Sequence, residues 1–74
     1  MDTVTPLSGK RAVTFTNRIA ASLRGLGIDL QMGTITRAQY DASVADHQRG
    51  LADRGLAPLI APYRPVTEPT YLTA

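Results

Sequence analysis

The chain has no cysteine, which excludes a disulfide framework and any thiolate metal site. Its one histidine, His47, excludes the usual multi-histidine zinc sites. No apolar run approaches the ~18 residues of a membrane-spanning helix. The N-terminus has no signal-peptide core. Lysine is nearly missing, with Lys10 standing against seven arginines. What is present is 74 residues, enough for one domain at most. A chain this short buries only about 60% of its unfolded surface, so its stability is marginal without further support. The 43% hydrophobic content is too high for a disordered chain and too low for a membrane protein.

Charge is mild and unevenly placed. The net charge is +2, with +3 on residues 1–37 and −1 on residues 38–74. A solvated surface accounts for an asymmetry of this size, and the front half is the side that would meet an anion.

The pattern predicts a small all-α fold with three regions: an N-terminal arm (1–12), a helical hairpin (13–56) and a long extended Pro-rich tail (57–74). The arm is polar and carries the turn residues Pro6 and Gly9. A first helix is expected over about 15–26, capped by Thr14. Phe15, Ile19, Leu23 and Leu26 share one stripe at helical spacing, and Gly27 suits the left-handed position after the end. Ile28, Leu30 and Met32 then alternate with Asp29 and Gln31. That period of two reads as a short strand or, preferably, an extended connector plugging the helix pair.

The second helix has the clearest start and stop. Thr36-Arg37-Ala38-Gln39 is a capping box, with Ile35 and Tyr40 placed as a hydrophobic staple. Tyr40, Val44, His47 and Leu51 form the inward stripe. Gly55 falls at the left-handed position with Leu56 packing back on Leu51. Gly50 interrupts the helix and marks a kink or a close approach. Prolines 58, 62, 65 and 69 keep the tail from becoming helical. The candidate core is Phe15, Ile19, Leu23, Leu26, Ile28, Leu30, Met32, Ile35, Tyr40, Val44, Leu51 and Leu56. Two short helices carrying it have no third element to cover them, which points to oligomerisation or a partner surface.

Signals for enzyme chemistry are thin. Ser43 and His47 are four apart with Asp46 beside them, but no orienting group or oxyanion site accompanies them. Asp41, Asp46 and Asp53 spread around the helix, and Gly25-Leu26-Gly27 does not extend to a phosphate-binding glycine motif. No catalytic, metal or cofactor residue is assigned. A helix-turn-helix reading would place Thr34, Thr36 and Arg37 at the nucleic acid, but eight residues between the helices exceed that motif's tight turn. Ala38, Ala42, Ala45 and Ala52 make a smooth second face on the second helix, and Pro62-Tyr63-Arg64-Pro65 fits PxxP.

Gly33-Thr34-Ile35-Thr36, followed by Tyr40-Asp41-Ala42, resembles the turn and second-helix start of the short C-terminal helical oligomerisation motif family. Asp29 stands where that family has leucine, and the Pro-rich tail is foreign to it. The resemblance implies a helical hairpin that assembles.

The expected function is non-enzymatic: an accessory or structural subunit, in a virion or similar large complex or in the cytoplasm. It would bind protein partners or copies of itself through Leu59, Ile60, Tyr63, Val66, Tyr71 and Leu72 of the tail, with no membrane and no small-molecule substrate. The alternatives are a small nucleic-acid-binding regulator using Lys10, Arg11, Arg18 and Arg37, or an inhibitor occluding one target.

Overall fold

Helix-forming residues dominate two stretches, and both become helices in the computed structural model, which describes residues 9–66. Helix α1 is Gly9–Gln31 and helix α2 is Arg37–Ala52, packed on each other as a hairpin. Among the described residues there is no strand.

Helix α2 starts as its sequence predicts. The Gln39 N–H donates to Thr36 Oγ1 at 3.1 Å, and the Thr36 N–H donates to Gln39 Oε1 at 2.8 Å. Two orphan donors are satisfied reciprocally. Its end is equally local. Gly55 takes φ 73°, the Gly55 N–H donates to the Ala52 carbonyl, and the Leu56 N–H donates to the Leu51 carbonyl, each at 2.9 Å. Leu51 and Leu56 are both buried in one cluster, the contact that accompanies this motif.

Helix α1 departs from its expected limits at both ends. It begins at Gly9 rather than near residue 15, so Thr14 is interior, and residues 9–12, expected in the arm, form its first turns. It also runs through Gly25 and Gly27 to Gln31. Each interior glycine costs about 1 kcal/mol against alanine, but the packed faces of Leu23 and Leu26 carry the helix past them. The left-handed residue is Gly33 at φ 78°, with its N–H on the Leu30 carbonyl (3.1 Å) and the Thr34 N–H on the Asp29 carbonyl (2.8 Å). Residues 28–31 are therefore helical, neither strand nor connector. Only residues 32–36 separate α1 from α2. Gly50 makes no close approach, since a Cβ there would meet only the Arg54 guanidinium at 3.9 Å.

The third layer is the tail. Leu56 and Tyr63 are buried and Leu59 is half-buried. Leu51, Leu56 and Ala12 form one cluster, and Ala20, Leu23 and Tyr63 form the other. Leu59 and Ile19 pack against both and join them. The element missing from the sequence reading is thus supplied by the chain itself.

This cover changes which face of α1 is inside. Ala12, Thr16, Ala20 and Leu23 are the buried positions. At 3.6 residues per turn this stripe is rotated by about 60° from the Phe15–Leu26 stripe. Phe15, Ile19 and Leu26 are half-buried on its flank. Ile28 and Met32, expected in the core, are exposed, while Leu30, Ile35, Tyr40 and Val44 are half-buried.

Candidate functional site

Two amide side chains hold the tail, one from each helix. Gln48 of α2 donates from Nε2 to the Leu59 carbonyl at 2.7 Å and accepts the Leu59 N–H at Oε1, 2.9 Å. Asn17 of α1 accepts the Val66 N–H at Oδ1, 2.7 Å, and its Nδ2 lies 3.4 Å from the Val66 carbonyl. A primary amide offers one acceptor and two donors, so it can pair with one residue's N–H and C=O as a neighbouring peptide would. Neither contact reads a side chain of the tail. Neither amide is distinguishable in the sequence from ordinary polar positions flanking an apolar stripe.

Where the tail crosses the hairpin it closes one wall of an open groove of about 290 Å³. Leu23, Gly27 and Ile28 of α1, Tyr40 of α2, and Pro62 and Tyr63 of the tail line it. Arg24 and Gln31 stand at its polar side. Ile28 is 52% exposed, and Met32, one turn on and just past the end of α1, is 75% exposed. Burial pushes the Tyr63 phenol above the ordinary tyrosine pKa of 10.0, and a hydrogen bond and the charge of Tyr40 push it further.

The residues assigned to partner binding divide. Leu59 and Tyr63 are turned into the protein's own core, and the Val66 backbone is engaged by Asn17. Ile60 is 84% exposed. Tyr71 and Leu72 lie outside the described residues.

The four cations of the nucleic-acid alternative divide as well. Lys10, Arg11 and Arg18 line one shallow depression with Thr14 and Phe15. Arg37 sits elsewhere, bonded to Asp41 at 3.1 Å with its guanidinium 5.8 Å from the Tyr40 ring centre. Arg54, which the sequence marks only as a cation near the C-terminal end of the second helix, lies 4.3 Å over the Phe15 ring and donates to the Gly50 carbonyl at 3.0 Å.

The Ser43–His47 pair forms no nucleophile–base contact. His47 Nδ1 lies 2.7 Å from the Ser43 backbone carbonyl, so that nitrogen carries the proton and donates it to the main chain. Asp41 and Asp46 form exposed ion pairs with Arg37 and Arg49. Among the described residues no group of His, Asp or Glu side chains converges to hold a metal, and no helix is long and apolar enough to cross a membrane. Comparison with protein-family models, curated proteins and solved structures finds no match.

Proposed function

We propose that the chain is a non-enzymatic accessory subunit that docks onto a larger protein assembly, such as a virion, through the groove between α1, the start of α2 and the tail. The observation that carries this reading is the pair Ile28 and Met32. Ile28 is exposed on the lining of a groove walled by Leu23, Tyr40, Pro62 and Tyr63, and the exposed Met32 follows it by one turn, its N–H on the Ile28 carbonyl at 2.9 Å. A contiguous apolar rim around a preformed concavity is the usual mark of a protein contact. The groove is largely apolar, with Arg24 and Gln31 as its polar edge. The resemblance of residues 33–42 to an assembling hairpin family points the same way, and self-association is one form this docking takes. Relative to the sequence reading, the docking surface moves from the tail's side chains to the groove the tail helps to build.

The test is the size of the particle carrying the chain in lysate of its native source, compared with that of the double variant Ile28→Asp/Met32→Asp. Wild-type protein is expected in a complex well above 7.9 kDa, and the variant in a monomer-sized fraction with unchanged helical circular dichroism. A variant that stays in the complex refutes the groove as the docking surface. A wild-type chain found only as a monomer refutes the assembly reading.

A further inference from the structure

The second surface is electrostatic and lies on a different part of the molecule. Over residues 9–28 the sequence has four cations, Lys10, Arg11, Arg18 and Arg24, and no carboxylate. The fold gathers three of them: Lys10, Arg11 and Arg18 are exposed around one depression on α1. It then adds a fourth from the turn after α2, because Arg54 lies over the ring of Phe15, which lines the same depression. Lys10, Arg11 and Arg18 form no ion pair among the described residues. Asp41 and Asp46 are already engaged by Arg37 and Arg49. The modest net charge therefore hides a local concentration of positive charge, reinforced by the positive end of the α1 dipole.

We infer that this face of α1 binds the phosphate backbone of a nucleic-acid duplex, with Lys10, Arg11, Arg18 and Arg54 as the phosphate-contacting groups. Arg11 and Arg18 are two turns apart, about 10.5 Å along the helix axis at 1.5 Å per residue. That spacing is close to the ~12 Å width of a B-form major groove, so the two guanidiniums can meet phosphates on opposite walls. Single-stranded nucleic acid fits less well. Stacking of bases needs free aromatic faces, whereas Phe15 is half-buried against the Ala12, Leu51 and Leu56 cluster and covered by Arg54. A membrane surface also fits less well. Basic helices that lie on bilayers expose bulky apolar residues beside their cations, and among the described residues the large exposed apolar side chains, Ile28, Met32 and Ile60, do not line this depression. The contact reads charge and groove width, not base identity, so it is independent of sequence. The helix-turn-helix position at the start of α2 is not used, since Arg37 lies outside this depression and its charge is paired with the Asp41 carboxylate, whereas Arg54 bonds a neutral backbone carbonyl.

The test is fluorescence anisotropy of a labelled random-sequence duplex titrated with full-length protein at 50 to 200 mM salt. With three to four phosphate contacts, affinity should fall about 40- to 150-fold across that range, a log–log slope of about −3. Arg11→Gln/Arg18→Gln should weaken binding and reduce the slope by about 2. Arg11→Lys/Arg18→Lys keeps both charges and should retain the slope. Arg37→Gln and Ile28→Asp/Met32→Asp should bind duplex as wild type does, which separates this site from the apolar groove. The inference is overturned if wild-type protein fails to bind duplex at 50 mM salt. It is also overturned if the glutamine variant keeps the wild-type slope, or if vesicles containing phosphatidylserine or an acidic polypeptide bind this face while duplex does not.

Discussion

Removing the Gln48 amide should loosen the tail without touching either helix cap. Gln48 makes two hydrogen bonds to the backbone of Leu59, at 2.7 and 2.9 Å, both half-buried. At about 0.5–1.5 kcal/mol net for each bond, Gln48→Ala loses about 1–3 kcal/mol. Alanine's better helix propensity returns a few tenths of that. In a domain this small about 1 kcal/mol moves the midpoint by 4–8 °C, so a fall of roughly 5–15 °C is expected in thermal circular dichroism. Amide exchange at Leu59 should accelerate in parallel. Gln48→Glu provides the internal control. An ionised carboxylate still accepts the Leu59 N–H but cannot donate to its carbonyl, which it faces instead. That variant should be no more stable than Gln48→Ala at pH 7, and should recover relative to it below about pH 4.3, where protonation restores a donor. A cycle with Asn17→Ala tests whether the tail peels as one unit: losses smaller than additive are expected, because either change frees the same strap. A Gln48→Ala midpoint within 1 °C of wild type, with unchanged exchange at Leu59, would refute the clamp.

Other consequences are equally direct. Thr36→Ala should cost about 0.5–2 kcal/mol by removing the acceptor of the Gln39 N–H, and unchanged thermal unfolding would mean that α2 does not start there. The raised Tyr63 pKa means that the folded state holds its phenolic proton more tightly than the unfolded chain. Its contribution is complete below pH 10 and is lost as pH rises through the folded value, so alkaline unfolding should begin above about pH 10 and be blunted in Tyr63→Phe. Truncation after Gly55 removes Leu56, Leu59 and Tyr63 from the two core clusters, and should abolish cooperative unfolding rather than leave an intact hairpin. A truncated chain with wild-type ellipticity and a sharp transition would show that the tail is not part of the core.

What could be read from the sequence is what acts over a few residues. The capping box at Thr36 and the Gly55–Leu56 ending of α2 depend on bonds three to five residues apart, and both stand as expected. The ends of α1 depend on what packs against it. Gly25 and Gly27 look like stop signals only while the helix is considered alone. Ile28 and Met32 look like core residues for a related reason: in a two-helix unit every apolar residue has to go inward. The tail supplies the missing cover, so those two are left outside and the small residues Ala12, Thr16 and Ala20 go in. Nothing local foretells this, because Asn17 and Val66 are 49 residues apart in the chain. Arg54 and Phe15 are likewise distant in sequence, so the basic face was visible only as Lys10, Arg11 and Arg18.

The two amide clamps set unequal rules for how this protein can change over generations. They grip main-chain atoms of Leu59 and Val66, so replacement of the exposed side chains between them, Ile60 and Arg64 among them, leaves the grip intact. Gain or loss of one residue in that interval does not. The stations on α1 and α2 are fixed, and a changed chain length forces either a clamp or the Tyr63 ring out of place. Descendants of this chain should therefore vary freely at the exposed positions between Leu59 and Val66 while keeping the Tyr63 ring and the number of residues, a signature that a comparison of diverged copies would display as drifting identity at constant spacing.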